Sequence, residues 1–180
     1  KELLDAPDAR RAARELMLSS NVLITEEGGR ESIKGDSTDK AKIEFGKSLG
    51  LTLESLLRDA PRKAFLPFDE QKKYLVSFHE SRGGTEILIS GAPEILLRAS
   101  KLAPAKQQKI LRHIEEYAAR GFRMVGAARG FTKDAINDRT PEQKLHKYIT
   151  ALDFLGVAAI HDPIRKDVFE AVRMTREAGI

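Results

Sequence analysis

Apolar positions along this chain switch between two periods, and the switches divide it into elements. Ala9, Ala12, Ala13, Leu16 and Met17 recur at the spacing of one helix face, with Pro7 and Asp8 as start signals. Val22–Ile24 is a short apolar run before a loop, Glu26–Asp36, rich in glycine and charge. The pattern predicts a second helix from near Thr38, its candidate cap, to a stop before Gly50, and a shorter helix at Leu53–Leu57.

After Pro61 the period falls to two. Tyr74, Val76 and Phe78 alternate with Leu75, Ser77 and His79, and Ile87 and Ile89 flank Leu88. Glu80–Gly84 lies between these runs and ends in Gly-Gly, which predicts a β-hairpin. Gly91-Ala-Pro-Glu94 then turns into a helix, with Pro93 in its first turn. Pro104–Arg120 is amphipathic, with Ile110, Leu111, Ile114, Tyr117 and Ala118 on one face and Gly121 as its stop. Arg123–Arg129 alternates as a strand does, and Pro141 opens a short helix to about Tyr148. Leu152–Ile160 is apolar almost throughout and predicts a buried strand. Lys166–Ala178 reads as a last helix, with Val168, Ala171, Val172 and Thr175 on one side. A hairpin with helices outside it argues for an α+β fold over regular βαβ alternation.

Composition narrows the class without naming a chemistry. The 180 residues are 41% hydrophobic and 32% charged, enough for one domain with a core, and no apolar run nears the length of a membrane span. No leader or lipidation pattern stands at either end, so a soluble chain in a reducing cytosol is the expectation. Without cysteine there is no disulfide, thiolate metal site or cysteine nucleophile. The net charge of +4 suits an anionic partner but identifies none.

Several catalytic patterns fail on context. Ala41–Ser48 resembles a phosphate loop that has lost its first glycine, but no buried strand precedes it and the segment reads as helix. There is no GxGxxG and no Gly-x-Ser-x-Gly elbow. His79, His113, His146 and His161 have no ligand spacing, so solvated or structural roles are expected. Lysine and arginine are spread over helices without interleaved aromatics, which argues against a nucleic-acid groove.

An ordered set of short motifs is more specific. Lys34-Gly-Asp-Ser-Thr38-Asp39-Lys-Ala41 is followed by Pro67-Phe68-Asp-Glu-Gln-Lys72-Lys73, then by Ser90-Gly91-Ala92-Pro93-Glu94. Gly121-Phe-Arg123-Met-Val125 and Asp162-Pro163-Ile-Arg165 come after. The succession resembles the nucleotide-binding domain of P-type ATPases, the cation pumps that pass through an aspartyl-phosphate. That family reads approximately KG-x-PTE-x-AL, PF(N/D)S-x-RK-x-M, KGAPE, GxR and DPxR, in the same order.

The resemblance implies an antiparallel β-sheet flanked by helices, with ATP bound at one edge. The Phe68 position would stack on adenine; its structural alternative is a core residue behind Pro67. Lys73 would line the nucleotide pocket, Asp39 would accept from the adenine side, and Arg123 would reach the phosphates. Gly91 would allow close backbone approach. Ser90 stands where most relatives hold lysine, which removes a pocket cation, and lysine restored there is expected to strengthen ATP binding. Asp39 is one methylene shorter than the family's glutamate, and Glu70 would add negative charge beside phosphate.

The resemblance further implies a division of the chain. Residues 1–160 would be the nucleotide-binding domain, and residues 161–180 the hinge, marked by Asp162 and Arg165, with the first helix of the returning phosphorylation-domain half. The chain holds no Asp-Lys-Thr-Gly-Thr string, so the phosphorylated aspartate would lie elsewhere in the pump, and this part should bind ATP and catalyse nothing alone. ATP, Mg-ATP in the parent, is the implied cofactor. The implied partners are the parent's phosphorylation and actuator domains and its membrane helices, with this domain on the cytoplasmic side. Two alternatives stand beside this reading: a degenerate, non-binding structural domain of such a pump, and a small basic nucleic-acid-binding domain.

Overall fold

A computed structural model describes residues 6–27, 30–161 and 166–179. Helix α1 (Ala6–Leu18) leads into a two-stranded antiparallel ribbon, β1 (Leu23–Glu27) and β2 (Arg30–Lys34). Helices α2 (Ser37–Ser48) and α3 (Leu53–Asp59) follow. Five strands then form one sheet: β3 (Arg62–Asp69), β4 (Tyr74–Ser81), β5 (Gly84–Gly91), β6 (Arg123–Thr132) and β7 (Asp153–Ile160). Their spatial order is their chain order, and every neighbouring pair is antiparallel. Helices α4 (Pro93–Arg98) and α5 (Pro104–Ala119) lie between β5 and β6 in sequence, α6 (Glu142–His146) precedes β7, and α7 (Lys166–Glu177) ends the described chain. The α+β class and the antiparallel sheet flanked by helices are as expected.

Strand alternation sends successive side chains to opposite faces, and each face has its own cover. Val76, Phe78, Ile87, Ile89 and Ala128 pack with Leu96 of α4 and with Leu152. On the other face Leu16 of α1 meets Val125 and Ala127, while Leu18 meets Leu88. Met17, on the same helix, packs with Ile43 of α2 and Leu53 of α3. Two helical layers thus hold the sheet between them, and α2 is carried on α1. Gly46 of α2 makes that contact close: a Cβ there would fall 1.9 Å from Met17 Sδ. The glycine that imitates a phosphate loop is therefore a packing residue inside a helix.

Several expectations change. The segment expected as a loop, Glu26–Asp36, supplies β2 and part of β1, a ribbon whose charged sequence concealed its alternation. β3 was not expected at all. The β7 strand is present, but it stands at the end of the sheet order with most of its side chains only half-buried. The α5 helix forms as expected, yet none of its residues is fully buried; Ile110, Ile114 and Tyr117 roof a groove over Met124, Leu155 and Val157. Asp162 and Arg165, the expected hinge, lie outside the described residues.

Candidate functional site

At one end of the sheet the start of α2, the turn from β3 to β4, the end of β5 and the start of β6 enclose a cavity of about 390 Å³. Asp39, Phe68, Lys73, Ser90, Gly91 and Arg123 all line it, although four separate motifs supply them. Asp36, Thr38, Lys42 and Leu75 complete much of the remaining wall.

The α2 side is set by a helix cap. Asp36, with extended backbone, accepts from the Asp39 N–H at 2.9 Å and starts the helix one residue before Ser37. Thr38, expected as the cap, is instead inside the first turn, and its Oγ1 accepts from Arg123 Nη1 at 2.8 Å. The cap turns Asp39 inward, where it is 2% exposed. Its Oδ2 accepts from the Asn21 N–H at 2.9 Å, and its Oδ1 accepts from Lys42 Nζ at 2.6 Å. Lys42 Nζ also donates to Ser90 Oγ at 2.8 Å. Burial pushes the Lys42 ammonium below the usual lysine range, opposed first by the adjacent Asp39 carboxylate and then by Asp36.

The facing wall comes from the β3–β4 turn. Pairing between these strands is irregular from Leu66 to Asp69, and Phe68 lies in that stretch with 51% of its surface exposed. A core place for Phe68 is excluded. Its ring divides the cavity from a smaller one lined by Asp69, Lys72, Glu142 and His146. The Asp69 carboxylate accepts from the Lys72 and Gln71 N–H groups at 2.9 and 2.8 Å, and those bonds hold its pKa below the usual range. The turn closes with the Lys73 N–H donating to Asp69 O at 2.7 Å, and leaves Lys73 at φ 62, the left-handed region.

Gly91 fits this turn for a reason visible in the backbone. A Cβ on Gly91 would lie 2.3 Å from Lys73 O and 2.6 Å from Tyr74 Cα. The next residue, Ala92, donates its N–H to the same Lys73 carbonyl at 2.8 Å. Glu70, expected beside the phosphates, is exposed and is not part of the cavity wall.

Lys42 is a charged wall residue that sequence reasoning missed. Its signal was present, since Lys42 sits three residues after Asp39 on a helix and so shares its face. Ser90 also changes meaning. It is 1% exposed and already touches an ammonium group, so lysine at 90 alone would bring two cations into one buried place. That substitution is now expected to destabilise the site, contrary to the gain expected from the sequence.

The family profile for the P-type ATPase cytoplasmic domain N matches residues 9–167. This chain belongs to that family. Among its relatives, Calcium-transporting ATPase 1 of Lactococcus lactis is 23% identical over 185 residues, covering 96% of this chain and 20% of the relative. Probable cation-transporting ATPase F of Mycobacterium tuberculosis is 28% identical over 173 residues, covering 90% of this chain and 18% of the relative. The sodium/potassium exporting P-type ATPase cta3 of Schizosaccharomyces pombe is 27% identical over 161 residues, with 86% and 15% covered. The N domain described here thus spans between 15% and 20% of the length of these relatives. Among the described residues, no helix is long and apolar enough to cross a membrane.

Proposed function

We propose that this N domain binds an adenine nucleotide in the 390 Å³ cavity and, within a cation-transporting P-type ATPase, presents the γ-phosphate to an aspartate on another domain. The observation that supports the reading is convergence. Residues as far apart in sequence as Asp39 and Arg123 line one cavity with an exposed ring on one wall and cations on the others. Phe68 offers a face for base stacking, worth about 1–3 kcal/mol. Lys73 and Arg123 are exposed and lie where phosphates would meet solvent, able to offset charge without the desolvation that buried cations suffer. Mg²⁺ would travel with the phosphates in the parent pump and assist transfer there; this chain's own residues hold and orient the nucleotide.

Calorimetric titration with ATP tests this, with a single-stranded oligonucleotide of equal phosphate concentration as the control. Saturable, weak binding of ATP and none of the oligonucleotide is the expected result. Binding of the oligonucleotide alone would favour a basic nucleic-acid surface, and binding of neither would favour a purely structural domain.

A further inference from the structure

The cavity contains a cation that the five motifs do not account for. Lys42 Nζ is 2.6 Å from Asp39 Oδ1 and 2.8 Å from Ser90 Oγ, and its side chain is 3% exposed. An ammonium group has three N–H donors, and those two contacts use two. The Asp39 carboxylate is tied down on both oxygens, by Lys42 and by the Asn21 N–H. Of this buried pair, the lysine is the member with a donor left over.

We propose that Lys42 is a nucleotide-binding residue of this domain, donating its third N–H to an acceptor atom on the edge of the base. The proposal rests on the nucleotide-binding reading above. Depth decides between base and phosphate as its target. Phosphates carry the charge and hold water strongly, so they belong with the exposed Lys73 and Arg123. The flat, weakly hydrated base is the part of the ligand suited to the buried end, where Lys42, Asp39, Ser90 and Leu75 lie. A hydrogen bond from a charged donor gains strength in such a place because little water competes for it.

The sequence pattern agrees in an independent way. The resembled motifs have leucine where this chain has Lys42, and lysine where it has Ser90. The 2.8 Å contact shows that α2 delivers an ammonium group to the place where β5 carries Ser90. Two departures that look separate in sequence are one exchange in space: the cation is supplied from the helix and no longer from the strand.

The test compares ATP and adenosine binding by NMR titration for the wild type, Lys42→Leu, and the exchange variant Lys42→Leu/Ser90→Lys. Lys42→Leu is expected to lose at least about tenfold in affinity for both ligands, because the lost bond is to the base. The exchange variant returns a lysine beside Asp39 from the strand and is expected to bind both within about threefold of wild type. It also decides the matter if Lys42→Leu fails to fold with Asp39 left unpaired. Unchanged binding in Lys42→Leu, a loss confined to ATP, or an exchange variant that fails to fold or to bind would each overturn the proposal. A wild type that binds neither ligand would overturn the nucleotide reading as well.

Discussion

Phe68 leaves about half of its surface open, whereas Asp39, on the opposite side of the same cavity, is 2% exposed and bonded to two partners. Their substitutions should therefore separate binding from stability. Phe68→Ala removes a stacking face and little core, so ATP affinity should fall by about 1–3 kcal/mol. Its unfolding free energy should stay within about 0.5 kcal/mol of wild type. Asp39→Ala leaves the Lys42 ammonium buried without its carboxylate, which costs on the order of 3–5 kcal/mol of stability. Urea unfolding followed by circular dichroism, with nucleotide titration beside it, reads both quantities. Melting of Phe68→Ala, or unchanged stability of Asp39→Ala, would contradict these placements. Asp39, Phe68, Lys73, Ser90, Gly91 and Arg123 could all be named from the sequence because each belongs to a short ordered motif. For Lys42 the helical spacing from Asp39 was readable, but its contact with Ser90, on a strand 48 residues later, was not.

Elements were legible where the hydrophobic pattern is strong and local. α1, the β4–β5 hairpin and β6 follow from periodicity, and Gly121, at φ 83, ends α5 as the sequence predicts. The β1–β2 ribbon was hidden because charged residues interrupt its apolar positions, and Glu26, Glu31 and Lys34 are exposed. β7 misled in the opposite direction: a nearly continuous apolar run suggests two well-covered faces, yet most of its side chains are only half-buried. A close approach at Gly91 was legible, but that its partner is the β3–β4 turn was not, since that depends on how the strands pair. Gly91→Ala tests it. The added methyl would meet the Lys73 carbonyl and the Tyr74 backbone, neither of which can rotate away. The expected result is a loss of about 1–3 kcal/mol in stability, together with weaker ATP binding as Lys73 is displaced. A variant as stable as wild type would show that the turn is free to move.

The molecule as a whole is built around a sheet with helices on both faces, and one buried acid makes its stability sensitive to pH. Glu15 of α1 is 2% exposed, with Oε1 accepting from Arg14 and Oε2 without a hydrogen-bond partner. Burial first, and then the nearby Glu86 carboxylate, raise its pKa from 4.5 to about 7. In this range the folded state binds a proton that the unfolded chain releases. The resulting stabilisation is complete below pH 4.5 and is lost as pH rises through about 7. Its size is on the order of 3 kcal/mol. Glu15→Gln should therefore match wild type in acid and exceed it at pH 8, as read from urea midpoints across pH. Parallel profiles for the two proteins would contradict the buried, partly unpaired state of Glu15.

Whether the cavity at the end of the sheet holds an adenine nucleotide can be read by amide NMR of the labelled chain titrated with ATP, first without Mg²⁺ and then with it. Binding should be weak, because stacking and a few charge-assisted bonds must outweigh the entropy of association. Saturable shifts are expected at residues 36–42, 68–73, 90–92 and 123–125, already present before the metal is added. Absence of any saturable shift, or shifts confined to the groove beneath α5, would contradict nucleotide binding in this cavity.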